Sequence, residues 1–143
     1  ENVMIGAVFS RGLSLKEARK SAESICESLQ LGDLGRDTAS LSILEVKKME
    51  IARALANGPE VLFLDEVMAG LNTDETRQMI SMVKAIAKER GLAVGVVEHV
   101  MGVIRELTER VIVLEAGELI AEGPYSEVSK NPRVIEAYLG GAA

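Results

Sequence analysis

Leu15, Ala18, Ala22, Ile25 and Leu29 recur at steps of three and four, which sets one apolar stripe along a helix. Ser14 stands three residues ahead of Glu17, the spacing of a capping box, and Gly32 supplies a stop. The pattern predicts an amphipathic helix that packs by one face, preceded by a short apolar lead-in, ENVMIGAVFS. The stretch GDLGRDTAS is turn-rich. Beyond it a second helix is expected from Ser42 to about Asn57, opened by the same box at Ser42 and Glu45.

The period changes after NGP. VLFL is too short for a helix and is bounded by turn residues, so it is predicted as a strand buried on both faces, as is LAVGVV from Leu92 to Val97. Between them Met79, Met82, Val83 and Ile86 share one helical face that stops at Gly91. A strand, helix, strand unit makes its two strands parallel. A shorter helix is expected from Val100 to Leu107. RVIVLEAGELIAEG reads as a hairpin turning at Gly117, and Asn131 with Pro132 as the start of a closing helix, RVIEAYLG. The fold class is therefore α/β, with a helical subdomain over 1–58, an α/β part over 59–143 and a boundary near Gly58 and Pro59.

Composition limits what such a chain does. A formal net charge of −6 over 143 residues disfavours a nucleic-acid partner, which calls for clustered Lys and Arg. It leaves a nucleotide open, because helix N-termini hold phosphate without basic side chains. Cys26, the only cysteine, lies on the stripe between Ile25 and Leu29 and reads as a small core residue in a reducing compartment. No apolar run reaches the roughly 20 residues of a membrane span, and the first ten residues lack a signal peptide's basic flank. The first residue is not Met, which fits a piece of a longer protein.

The chemistry concentrates where the strands end. VLFL runs directly into Asp65 and Glu66, and LAVGVV into Glu98 and His99, the only histidine. In parallel α/β sheets, ligand groups gather beyond the carboxyl ends of strands. Surfacing acids and a capping histidine are the plain alternative. Ser42 opens a helix whose N–H groups and dipole suit a phosphate oxygen, though as a plain N-cap it needs no ligand.

In this order the segments resemble the nucleotide-binding subunit of ATP-binding cassette (ABC) transporters, in particular those of branched-chain amino acid importers. VLFLDE is similar to the Walker B strand, AGLN to the D-loop, VVEHVM to the switch-histidine segment and IARALANGPE to the helix after the signature. RVIEAYLGG is similar to the branched-chain importer ending. The resemblance implies a P-loop NTPase-like cassette core with a helical signature subdomain and a C-terminal hairpin and helix. It implies ATP and Mg²⁺ as cofactors, with Asp65 holding the metal through water, Glu66 polarising the attacking water and His99 meeting the γ-phosphate. Ser42 and Leu44 would face nucleotide, and Gly70 and Asn72 would lie across a subunit interface. Implied partners are a second nucleotide-binding subunit, identical or different, and permease subunits, at the inner face of the cell membrane.

The sequence departs from the family at three places. The phosphate loop G-x-x-x-x-G-K-[ST] is absent, as expected of a C-terminal half that begins after the glutamine loop. Leu41, Ser42, Ile43, Leu44 and Glu45 stand where the family has Leu-Ser-x-Gly-Gln, and Val67 replaces a proline. A non-catalytic interaction module built on a degenerate cassette is the alternative reading. A nucleic-acid-associated cassette ATPase ranks behind both. Stripped of sheet neighbours, the strands are expected to leave open edges and to self-associate.

Overall fold

A computed structural model describes residues 1–32 and 35–139. Asp33 and Leu34 of the turn-rich stretch, and Gly140 at the end of the predicted closing helix, lie outside the described residues. The chain divides into two compact units, Glu1–Val97 and Glu98–Ala143.

The first unit opens with helix α1 (Met4–Arg11), where the sequence pattern suggested only an apolar lead-in. Its residues are few, and Ala7 alone is fully buried on it, so the stripe is too short to read as periodic. Helix α2 (Leu15–Ser28) has the predicted capping box, with both reciprocal bonds between Ser14 and Glu17 present. Ala18, Ala22, Ile25, Cys26 and Leu29 are buried as the stripe requires. Leu15 is an exception, 72% exposed. Burial also pushes the Cys26 thiol above its ordinary range, as befits an inert core residue. A short 3₁₀ turn, η1 (Thr38–Ser40), leads into helix α3 (Ile43–Ala56), which buries Ile51, Ala52, Leu55 and Ala56. The three helices pack on one another.

Strand β1 (Val61–Asp65), helix α4 (Thr73–Arg90) and strand β2 (Ala93–Val97) follow. The strands pair in parallel, from Val61 opposite Ala93 to Asp65 opposite Val97, as the crossover predicts. Met79, Ile80, Val83 and Ile86 of α4 are buried. The expectation of strands buried on both faces is not met. Leu62 and Leu64 are buried, but Val61 and Phe63 alternate with them and are exposed, Phe63 by 78%. Successive strand side chains point to opposite faces, and no described element covers the second face. The Phe63 ring lies over Gly95 instead, where an added Cβ would come within 2.6 Å of Phe63 Cε1.

The second unit contains helix α5 (Met101–Leu107), the antiparallel pair β3 (Val111–Glu115) and β4 (Glu118–Gly123), and helices α6 (Tyr125–Val128) and α7 (Pro132–Leu139). The predicted hairpin turns at Ala116 and Gly117, both with positive φ, the signature of a type I′ turn, and is bulged between Val113 and Leu114. Its small core is Ile120, Val128 and Val134, flanked by Val111, Val113 and Ala121. Asn131 caps α7 by accepting the Arg133 N–H at 3.0 Å.

Candidate functional site

β1 and β2 end in register, and one further bond extends the ladder: the Glu66 N–H donates to the Val97 carbonyl at 2.9 Å. At Glu66 the backbone then turns through φ 46°, a left-handed conformation that a non-glycine residue adopts only when its surroundings enforce it. Val67 and Met68 provide the enforcement, since both side chains are buried directly after the turn. Turn bonds follow from Ala69 N–H to the Glu66 carbonyl at 3.0 Å and from Leu71 N–H to the Met68 carbonyl at 3.2 Å. Val67 thus serves as an apolar anchor in the position of the family's proline. Asp65 and Glu66 are exposed at the mouth of the sheet.

Gly70 has φ 82°, which favours glycine, and faces Ile43, with an added Cβ reaching Ile43 Cγ2 at 3.6 Å. The segment after the carboxylates therefore lies against the start of α3, and Ser42, Ile43 and Leu44 share a neighbourhood with Gly70. Asn72 closes the segment as the N-cap of α4. Its Oδ1 accepts the N–H groups of Asp74 and Glu75 at 3.0 Å, and its own N–H donates to Glu75 Oε2 at 2.9 Å.

At the start of α3, Ser42 and Glu45 make the predicted reciprocal cap, with Ser42 N–H to Glu45 Oε2 at 2.8 Å and Glu45 N–H to Ser42 Oγ at 3.2 Å. Sequence reading missed the third member, Arg36, which donates to both Glu45 carboxylate oxygens at 2.8 and 3.1 Å. The guanidinium and the cap hold the Glu45 carboxyl at about 2, well below the usual carboxylate range. Nothing in a period of two or 3.6 points to a pair nine residues apart; the signal available was an arginine inside a turn ahead of an acidic cap. Glu98 and His99 open the second unit, where the His99 carbonyl accepts the Tyr138 hydroxyl at 3.1 Å.

As a metal locus, Asp65 and Glu66 offer the hard carboxylate oxygens that suit Mg²⁺, which takes one or two carboxylates and draws its other ligands from water and phosphate. Among the described residues, no group of three or more His, Cys, Asp or Glu side chains forms a metal cluster. The donor set fits an ion shared with a nucleotide rather than a closed protein cage.

The chain is similar to known proteins. A family model described as "Branched-chain amino acid ATP-binding cassette transporter" matches residues 118–143. The methionine import ATP-binding protein MetN 2 of Lactiplantibacillus plantarum is 36% identical over 136 residues, covering 93% of this chain and 39% of that protein. The high-affinity branched-chain amino acid transport ATP-binding protein BraF of Pseudomonas aeruginosa is 32% identical over 130 residues, covering 90% of this chain and 51% of its own length. Among solved structures, cbiO1 of Clostridium perfringens, described as part of the ABC transporter complex cbiONQ, superposes with a TM-score of 0.80 at 28% identity over 94% of this chain and 53% of the other.

Over nine tenths of its length the chain is similar to ATP-binding cassette proteins.

Its α/β fold is that of the cassette, with a small parallel sheet and flanking helices, and its length is about two fifths to half that of these relatives. The family model falls on β4, α6, α7 and the residues after them, whereas the relatives match over nine tenths of the chain. No described helix is long and apolar enough to cross a membrane.

Proposed function

We propose that this chain is part of a nucleotide-binding subunit that hydrolyses ATP to drive import of branched-chain amino acids or related solutes. The carrying observation is the shared end of β1 and β2, where the Glu66 amide is pinned to Val97 and two carboxylates leave the sheet together. In this reading Asp65 holds Mg²⁺ through water and Glu66 orients and deprotonates the attacking water. Phosphoryl transfer asks for this, since its catalysis rests on positioning and charge neutralisation. Mg²⁺, when bound, supplies charge neutralisation at the phosphates. His99 joins by its place two residues past Val97 in the sequence, as the group that meets charge on the γ-phosphate. Ser42, Leu44, Gly70 and Asn72 form the surface offered to the nucleotide and to a second nucleotide-binding subunit. The contact between Gly70 and Ile43 supports treating them as one surface. Residues 1–58 act as the helical subdomain and 59–143 as part of the ATPase core. Permease subunits hold the assembly at the inner face of the membrane.

The phosphate-cradling loop is not in this sequence, so the isolated chain is expected to bind Mg-ATP weakly or not at all. Calorimetry on the purified chain checks this, and low-micromolar binding contradicts the division of labour proposed. Leu44 and the Arg36–Glu45 pair favour a second reading, a non-catalytic interaction module. In a full-length protein, Leu44→Gly separates the two. Higher turnover or a tighter ATP-bound dimer supports the ATPase, and no change in a stably folded protein supports the module.

A further inference from the structure

His99 stands on a short stretch, Glu98 to Val100, that belongs to neither β2 nor α5. Val100 opens α5, where its carbonyl accepts the N–H groups of Val103 and Ile104 at 2.9 and 3.2 Å, but its side chain supplies no cap. The carbonyl just before it, that of His99, is held from 39 residues away: the Tyr138 hydroxyl donates to it at 3.1 Å. That donor comes from α7, a helix with an anchorage of its own. Asn131 caps α7, accepting the Arg133 N–H on its side chain and the Ile135 N–H on its carbonyl, both at 3.0 Å. Val134, one turn ahead of Tyr138 on the same helix face, is buried with Ile120 and Val128 in the core of the second unit. Tyr138 lies outside that core, 49% exposed.

We infer that Tyr138 is a positioning residue for His99: the hydrogen bond from the closing helix fixes the peptide that carries the imidazole, and so sets how the histidine is presented to the γ-phosphate. This rests on the reading of His99 as the group that meets that charge, and adds the element that holds it in place. The carbonyl carbon is bonded directly to the His99 Cα, so restraining it restrains the backbone of the residue whose side chain acts. A group that stabilises developing charge is effective when it is fixed beforehand. Tyrosine suits the task, since few side-chain torsions are lost when its hydroxyl is placed. Tyr138 acts through His99 and touches no reacting atom. Whatever moves α7, which lies within the segment matched by the branched-chain importer model, then changes the rate of hydrolysis and leaves nucleotide affinity alone.

Tyr138→Phe removes the hydroxyl and keeps the ring. In the 143-residue chain, carbon-detected NMR should show the His99 carbonyl moving upfield on loss of its donor, and the Val100 amide with it, while the amides of α2 stay in place. Unmoved signals at both positions overturn the inference. In an intact subunit containing this segment, Tyr138→Phe should lower kcat for Mg-ATP about two- to tenfold, the range that one net hydrogen bond supplies, with KM unchanged. A raised KM at unchanged kcat, or no kinetic change, contradicts it. The same change in a His99→Ala background separates positioning from a merely structural role. Tyr138→Phe should add no further loss there, because the histidine through which it acts is gone. An equal loss in both backgrounds sinks the inference. Failure of the His99 reading looks different: His99→Ala itself turns over at the wild-type rate, which removes the inference too, while the NMR shift still reports the hydrogen bond.

Discussion

The three-helix segment and the two-stranded sheet treat apolar surface in opposite ways. In α1, α2 and α3 the apolar stripes turn towards each other, and Ala7, Ala18, Ile25, Leu29, Ala52 and Leu55 are all but completely buried. In β1 only alternate residues are covered, in β2 no residue is fully buried, and Val61, Phe63 and Val97 stand exposed. The helical segment builds a core of its own while leaving Ile5, Phe9 and Ile43 exposed, whereas the sheet leaves an apolar face open and carries two carboxylates at its end.

The largest effect should come from emptying the helical core. Leu55→Ala is expected to cost about 2–5 kcal/mol in chemical denaturation, through lost burial and a residual cavity. A loss near zero would mean that the segment is loosely packed and the contrast false. A smaller effect is expected at the helix start, where Ser42→Ala removes one cap acceptor and should cost about 1 kcal/mol. The smallest belongs to the open face. Phe63→Ala should change stability by less than about 0.5 kcal/mol, yet sharply reduce concentration-dependent light scattering if that face drives self-association. A large stability loss at Phe63 would make the sheet face part of the core after all.

Acid stability sharpens the same contrast. The Glu45 carboxyl is held below its unfolded value of 4.5, at about 2. Its contribution is therefore fully present above 4.5 and is lost as pH falls through 4.5 towards 2. Glu17 is shifted in the same direction by Ser14. An acid titration followed by circular dichroism should show α2 and α3 losing support in this window. Arg36→Gln should reduce the Glu45 share to what the Ser42 cap supplies, flattening the pH dependence between 4.5 and 2 at a lower stability near neutrality. A wild-type slope retained in the variant would assign the effect to other carboxylates.

How much of this was legible in the sequence follows the range of each interaction. The capping boxes at Ser14 and Ser42 are local, three residues wide, and formed as read. The parallel pairing of β1 with β2 followed from the crossover helix, and the hairpin from its turn. The second face of the sheet was misjudged because a run such as VLFL does not state what will lie against it. Helix α1 escaped because its stripe is short, and Arg36 because its partner lies across a turn. At the site, the carboxylates at the strand end were legible from residue order. The bond that fixes Glu66 to Val97, and the contact of Gly70 with Ile43, required the folded backbone.

The central claim is that the acid pinned at the shared strand end does chemistry on ATP. Glu66→Gln in an intact subunit containing this segment tests it most directly, because the amide keeps the shape and loses the base. Mg-ATP affinity should be retained while hydrolysis slows by at least about tenfold, the lower end of what a general base contributes. Turnover equal to wild type in a folded, ATP-binding variant would contradict the account.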